Sequence, residues 1–136
     1  NHSRLVGSEM CIRDRCHTEP LFTDYSYRNN GLDATFTTDL GRAHITKLPE
    51  DEGKFKVPSL RNVAKTYPYM HDGRFFTLNQ VLDHYTTGIQ HSSTLDPMLE
   101  NGIPLTGLEK QQLIAFLKTL TDYELINNAW LFQPQE

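Results

Sequence analysis

The chain has 136 residues, 38% of them hydrophobic and 22% charged, with a formal net charge of -4. That length and balance suit one folded domain, and an acidic chain without a basic block excludes a nucleic-acid face. No apolar run reaches the roughly 20 residues that span a bilayer, while 7 Phe, 6 Tyr and a Trp argue against disorder.

The segment from Leu5 to Arg15 back-translates without a gap into a common transposase-based sequencing adapter. A secretory leader would need a continuous apolar stretch and a small-residue cleavage site, and neither is present. Residues 1–15 are therefore expected to be non-native, and residues 16–136 to form the domain. As written, Cys11, Cys16 and His17 make C-x4-C-H. Covalent haem attachment uses C-x-x-C-H, whose thiols reach the two vinyl groups while the histidine meets the iron. With Cys11 set aside, Cys16-His17 is the second half of such a motif. A buried thiol beside a surface imidazole is the other reading of the dipeptide.

From Thr18 to Pro58 the chain is rich in Asn, Gly, Asp, Thr and Pro and reads as loop, with turns at Arg28-Asn29-Asn30-Gly31 and Pro49-Glu50-Asp51-Glu52-Gly53. The stretch from Val57 to Ala64 predicts a short helix that carries Pro58 in its first turn and stops before Pro68. Thr77-Leu78-Asn79-Gln80 is a capping-box pattern, opening a helix through Val81, Leu82 and His84 or Tyr85 that Gly88 ends. Thr106-Gly107-Leu108-Glu109 is a second box, followed by Leu113, Phe116, Leu117 and Leu120 on one face. Period-two alternation is absent, so no sheet beyond a short hairpin is expected, and the class is mainly α.

A helical domain with long loops and one Cys-His near its start fits a cytochrome c-like fold, in which the macrocycle supplies the missing core. The resemblance becomes specific at Cys16 to Asp24, at Arg28-Asn29-Asn30-Gly31-Leu32 and at Asp39-Leu40-Gly41-Arg42. It extends through Gly53 to Val63, Tyr67-Pro68-Tyr69-Met70-His71-Asp72-Gly73-Arg74-Phe75, Thr77 to Tyr85 and the Leu113 to Asp122 helix. Over Cys16 to Pro134 the chain resembles the C-terminal haem domain of the bacterial di-haem cytochrome c peroxidase and MauG family. It departs from the pattern only in the first cysteine of the haem motif.

The resemblance implies a two-domain periplasmic enzyme with one haem c in each domain. The N-terminal haem meets hydrogen peroxide, and the C-terminal haem passes electrons to it. The catalytic residues then belong to the missing N-terminal haem domain, and this chain alone is expected to be inactive. It implies Cys16 as the thioether and His17 as the proximal iron ligand. Tyr85 falls at the sixth position, in competition with Met70, His84 and His71. A phenolate favours ferric iron and a thioether ferrous iron, whereas a helical Tyr without an iron is a hydrogen-bonded core aromatic. Arg61 and Lys54 or Lys56 are read as propionate partners, against solvated surface charges. Thr66 and Pro68 match positions whose carbonyls help hold calcium, with further ligands from the missing domain, against an ordinary turn. His71 lies where the family places the interface between haems, and could equally cap a turn. His44 and His91 are read as surface residues.

Two activities follow from the resemblance: electron transfer within a hydrogen peroxide reductase, or a MauG-like oxidation of a protein or organic substrate. A small cytochrome c or cupredoxin is the expected donor, and a homodimer is allowed. A helical binding module without cofactor is the reading outside redox chemistry. Without haem, the chain is expected to pack poorly around a cavity lined by Leu60, Val63, Phe116 and Leu117.

Overall fold

The computed structural model describes residues 16–128, so the expectation that residues 1–15 are non-native lies outside the described residues. Four α-helices are described: α1 (Ala43–Thr46), α2 (Leu78–Asp83), α3 (Gly107–Thr119) and α4 (Tyr123–Ile126). Two short strands, β1 (Tyr27–Arg28) and β2 (Phe55–Lys56), pair antiparallel with Tyr27 opposite Lys56. They are separated by a long loop, so the expected short sheet is present but is not a hairpin. No helix of the described residues is long and apolar enough to cross a membrane.

The helices start where local chemistry starts them. At α2 the Gln80 amide donates to Thr77 Oγ1 at 3.3 Å while the Thr77 amide donates to Gln80 Oε1 at 3.1 Å. At α3 the Thr106 amide donates to Glu109 Oε2 at 2.7 Å and the Glu109 amide to Thr106 Oγ1 at 3.3 Å. Each box satisfies two amides that have no partner inside the helix. Helix α3 packs against α2, where Lys110 meets Asp83, and against the turn Val63–Lys65. The Asn62 amide there donates to Leu120 O at 3.0 Å.

The short helix expected from Val57 does not form. Instead, Val57 and Leu60 amides donate to Ser26 O and Phe22 O at 2.8 and 3.3 Å. Thr23 Oγ1 donates to Val57 O at 2.6 Å, and Ser59 Oγ to Leu21 O at 2.6 Å. These long-range bonds claim the groups a helix would have used. Asn62 then sits at a φ of 59°, and only a single 3-10 turn follows at Val63–Lys65.

The loop half is held by polar groups. Asn29 is 1% exposed; its amide donates to Ser92 Oγ at 3.0 Å and Thr94 Oγ1 at 2.9 Å, and its Oδ1 accepts the Gly31 amide at 2.8 Å. Buried hydrophobics are few: Leu32, Ala43, Val57, Leu82, Leu99 and Leu117 among the described residues. Four of these, Val57, Leu82, Leu99 and Leu117, form walls of a single cavity. The apolar core of this domain is therefore a shell around a space.

Candidate functional site

That space measures about 230 Å³. Val57, Pro58 and Leu60 wall it from the loop half, Val81, Leu82 and Tyr85 from α2 and its extension, Leu99, Ile103 and Leu105 from the connecting loop, and Leu113 and Leu117 from α3. Its polar lining is Cys16, His17, Arg28, Asn30, Lys56 and Asp96, with the Met98 thioether beside them.

His17 is oriented from behind. Its Nδ1 lies 3.0 Å from Phe22 O, and because a carbonyl only accepts, Nδ1 carries the proton and Nε2 the lone pair. Phe22 O also accepts the Leu60 amide at 3.3 Å, which ties the imidazole to the cavity wall. Such a carbonyl-held imidazole has the tautomer that metal ligation by Nε2 requires. Burial pushes the Cys16 thiol up, with Arg28 pulling it down and Asp96 and Asp24 raising it further.

Tyr85 reaches the cavity because α2 loosens at its end. Thr86 Oγ1 donates to Leu82 O at 2.7 Å and Thr87 Oγ1 to Asp83 O at 3.3 Å, and back-bonding of this kind bends or widens a helical turn. The turn His84–Gly88 is π-helical, a geometry often found at functional sites. Val81 and Tyr85, four residues apart, share the cavity face. His84 turns the other way: its Nε2 donates to Asn30 O at 3.0 Å, its ring meets Tyr85 edge-on at 5.1 Å, and burial lowers its pKa. Burial pushes the Tyr85 hydroxyl up, while a hydrogen bond from the Asn30 side chain pulls against it.

At the rim, Arg28 bonds Asp96 Oδ2 at 2.7 Å, Asp24 Oδ2 at 2.9 Å and Ser26 Oγ at 2.8 Å. Burial pushes the Asp24 carboxyl up, but hydrogen bonds from Ser26 and Arg28 bring it down to about 2. Lys56 lines the cavity beside this network, its Nζ 5.4 Å from the Tyr25 ring centroid.

Other residues singled out in the sequence lie elsewhere. Met70 is outside the cavity lining, its Sδ accepting the Asn30 amide at 3.3 Å. Lys54 pairs with Asp51 at 3.6 Å, and Arg61 Nη2 donates to Pro20 O at 3.1 Å; neither lines the cavity. Their side chains follow the surface turn and loop that carry them, so the cations at the cavity are Arg28 and Lys56. Thr66 and Pro68 are exposed, with Thr66 Oγ1 donating to Val63 O at 3.4 Å. The His71 ring stacks on Phe55 at 3.7 Å and 9°. His44 and His91 are exposed. Leu60 and Leu117 line the cavity, whereas Val63 and Phe116 do not.

Sequence reading missed Asn30, Arg28, Asp96 and Met98 as cavity residues. For Met98 a faint signal existed, since Asp96 before Pro97 is a cap pattern and Asp96 Oδ1 accepts the Met98 amide at 2.9 Å. Nothing periodic marks which way that methionine faces.

Fold and site together define a small helical domain whose buried apolar side chains wall a cavity that has a thiol, a backbone-held imidazole and a helical phenol in its lining. No family model matches the chain. Curated relatives do: it is 46% identical over 144 residues to cytochrome-c peroxidase IdrP2 of Denitromonas iodatirespirans, covering 86% of this chain and 37% of that protein. It is 37% identical over 107 residues to the methylamine utilization protein MauG of Methylorubrum extorquens, covering 77% of this chain and 30% of that protein. Among solved structures, a MauG-like protein associated with microbial copper homeostasis superposes with a TM-score of 0.82 at 34% identity, over 93% of this chain and 47% of that one. The chain belongs to the bacterial di-haem cytochrome c peroxidase and MauG family, and spans 37% of the length of the first of these relatives.

The residues present fit a haem. The apolar cavity would take the macrocycle, His17 Nε2 would suit iron, Cys16 is a free thiol in the same lining, and Arg28 and Lys56 would supply positive charge beside it. The written sequence has Arg13 three positions before Cys16, where the attachment motif has its first cysteine.

Proposed function

We propose that this chain is the electron-transfer haem domain of a periplasmic di-haem cytochrome c peroxidase that reduces hydrogen peroxide to water. The observation that carries the reading is a hydrophobic core arranged as the wall of a cavity that contains Cys16, His17 and Tyr85. Bound there, haem c would supply a one-electron iron couple whose potential depends on the side chains that ligate it. His17 holds its lone pair on Nε2 and keeps its ring in place through Phe22 O. Tyr85 would offer an oxygen donor from the wall that α2 and its extension form, and the apolar residues of α2 and α3 would exclude water. Lys56 and Arg28 would pair with the carboxylates of a bound haem; Arg28 already serves Asp24 and Asp96, so more of that work would fall to Lys56.

In this reading a second haem domain and the peroxide-reactive site lie in the part of the protein outside this chain, and a small cytochrome c or cupredoxin supplies electrons. Thr66 and Pro68 would offer carbonyl oxygens to a calcium ion shared with that domain. Tyr85 in the cavity favours a second reading, MauG-like oxidation of a protein or organic substrate, because an oxygen donor stabilises oxidised iron. Haem staining and peroxide turnover with a reduced cytochrome c donor, both on the full-length protein, test the proposal. Haem binding with steady peroxide consumption supports the peroxidase. Haem binding without consumption favours the oxidase, and the absence of covalent haem in the full-length protein overturns both.

A further inference from the structure

Two of the side chains that could compete for one iron position do not act independently: Met70 and His84 both hydrogen-bond Asn30, which lines the cavity with Tyr85. Its side-chain Nδ2 donates to Met70 Sδ at 3.3 Å. Its backbone carbonyl accepts His84 Nε2 at 3.0 Å. Its side chain also favours the ionised form of the Tyr85 hydroxyl, against the effect of burial. Asn30 and Tyr85 line the cavity, whereas Met70 and His84 do not.

We propose that Asn30 is a positioning residue that selects the iron donor, leaving the cavity to the Tyr85 phenol by holding the Met70 thioether and the His84 imidazole outside it. The inference rests on the haem reading of the cavity and deepens it. A thioether whose sulfur accepts an N–H has that lone pair engaged, and an imidazole whose Nε2 donates to a carbonyl cannot ligate through it. Met70 is held at a φ of 73°, a conformation that costs a non-glycine residue energy and persists only where neighbours enforce it.

The turn that carries Asn30 is rigid enough for this task. Asn29 beside it is buried and bonded on three sides. On the other side Gly31 has a φ of 68°, and a Cβ there would lie 2.6 Å from Ile89 Cγ2 and 3.0 Å from Gln90 O, so the Ile89 side chain and the Gln90 backbone close directly over the turn. The Gln90 amide donates to Gly31 O at 2.7 Å. Asn30 is thereby preorganised by packing that does not involve the cavity.

The test uses the full-length protein with both haems, Asn30→Asp and Asn30→Leu, each alone and with Met70→Leu, and Tyr85→Phe as the reference. The aspartate keeps the shape and the backbone carbonyl but has no N–H. The ferric spectrum and midpoint potential of the C-terminal haem are read. We expect either Asn30 variant to lose much of the phenolate-to-iron charge-transfer band and to gain a sulfur-to-iron band with a raised potential. Adding Met70→Leu should remove the sulfur band, a rescue that a merely structural role does not produce. Asn30 variants with the parent's spectrum and potential overturn the proposal while Tyr85→Phe still abolishes the phenolate band. If Tyr85→Phe leaves that band unchanged, the ligand reading itself fails, and the role of Asn30 fails with it.

Discussion

The two halves of this domain are built by different physics. Residues 77–88 and 106–119 form two helical segments whose starts follow from neighbours three and four positions away. Residues 18–62 have almost no regular structure and are held by polar side chains and long-range backbone bonds, above all Asn29, Thr23 and the Arg28, Asp24 and Asp96 network. The cavity lies between the halves, so one wall is set locally and the other only by tertiary contact. Losing a bond should therefore cost more in the loop half than losing a cap does in the helical half.

The sharpest break of that contrast is Asn29→Ala. It strips partners from Ser92, Thr94 and the Gly31 amide in a site that is 1% exposed. Removing such buried hydrogen bonds should cost about 3 kcal/mol, measured as a shift of the urea midpoint. A loss within 0.5 kcal/mol, the ordinary range for surface changes, would show that the loop half does not depend on its buried amide.

Leu117→Ala probes the shared wall. Leu117 is 7% exposed and lines the cavity, so without haem part of its side chain faces space. We expect a cost of about 3 kcal/mol in the haem-loaded protein and about 1 kcal/mol in the haem-free one. Equal costs in the two states would mean that the ligand does not pack on α3.

Protonation separates the halves differently. The folded pKa of Asp24 is lowered from 3.8 to about 2, so its contribution is fully present above the unfolded value and is lost as pH falls from about 4 towards 2. It amounts to at most about 2 kcal/mol, and Asp24→Asn should flatten the acid limb of the stability curve over that window. An unchanged acid limb would remove the Arg28 network from the stabilising interactions.

The smallest expected effect is in the helical half. Thr106→Ala removes the hydroxyl that caps α3 and should cost about 1 kcal/mol. Circular dichroism should show fraying confined to one helix, and a loss as large as that of Asn29→Ala would erase the contrast between the halves.

The sequence by itself determined what is short-range. Thr77 with Gln80, and Thr106 with Glu109, announce the two helix starts because a capping box needs only four consecutive residues. Gly88 marks the end of the turn that carries Tyr85, and the Cys16-His17 dipeptide pointed to the place where the cavity lining contains a thiol and an imidazole. The wall from Val57 to Leu60 was misread as helical, because its apolar residues and Pro58 fit a first turn and nothing local reveals the bonds to Ser26 and Phe22. Tertiary structure alone decided which cations reach the cavity, since Arg28 meets Asp96 across 68 positions while Lys54 is drawn to Asp51 nearby. It also decided how Asn30 engages Met70 and His84, 40 and 54 positions away. Contacts at such separations are chosen by packing of the whole chain, and no local pattern encodes them.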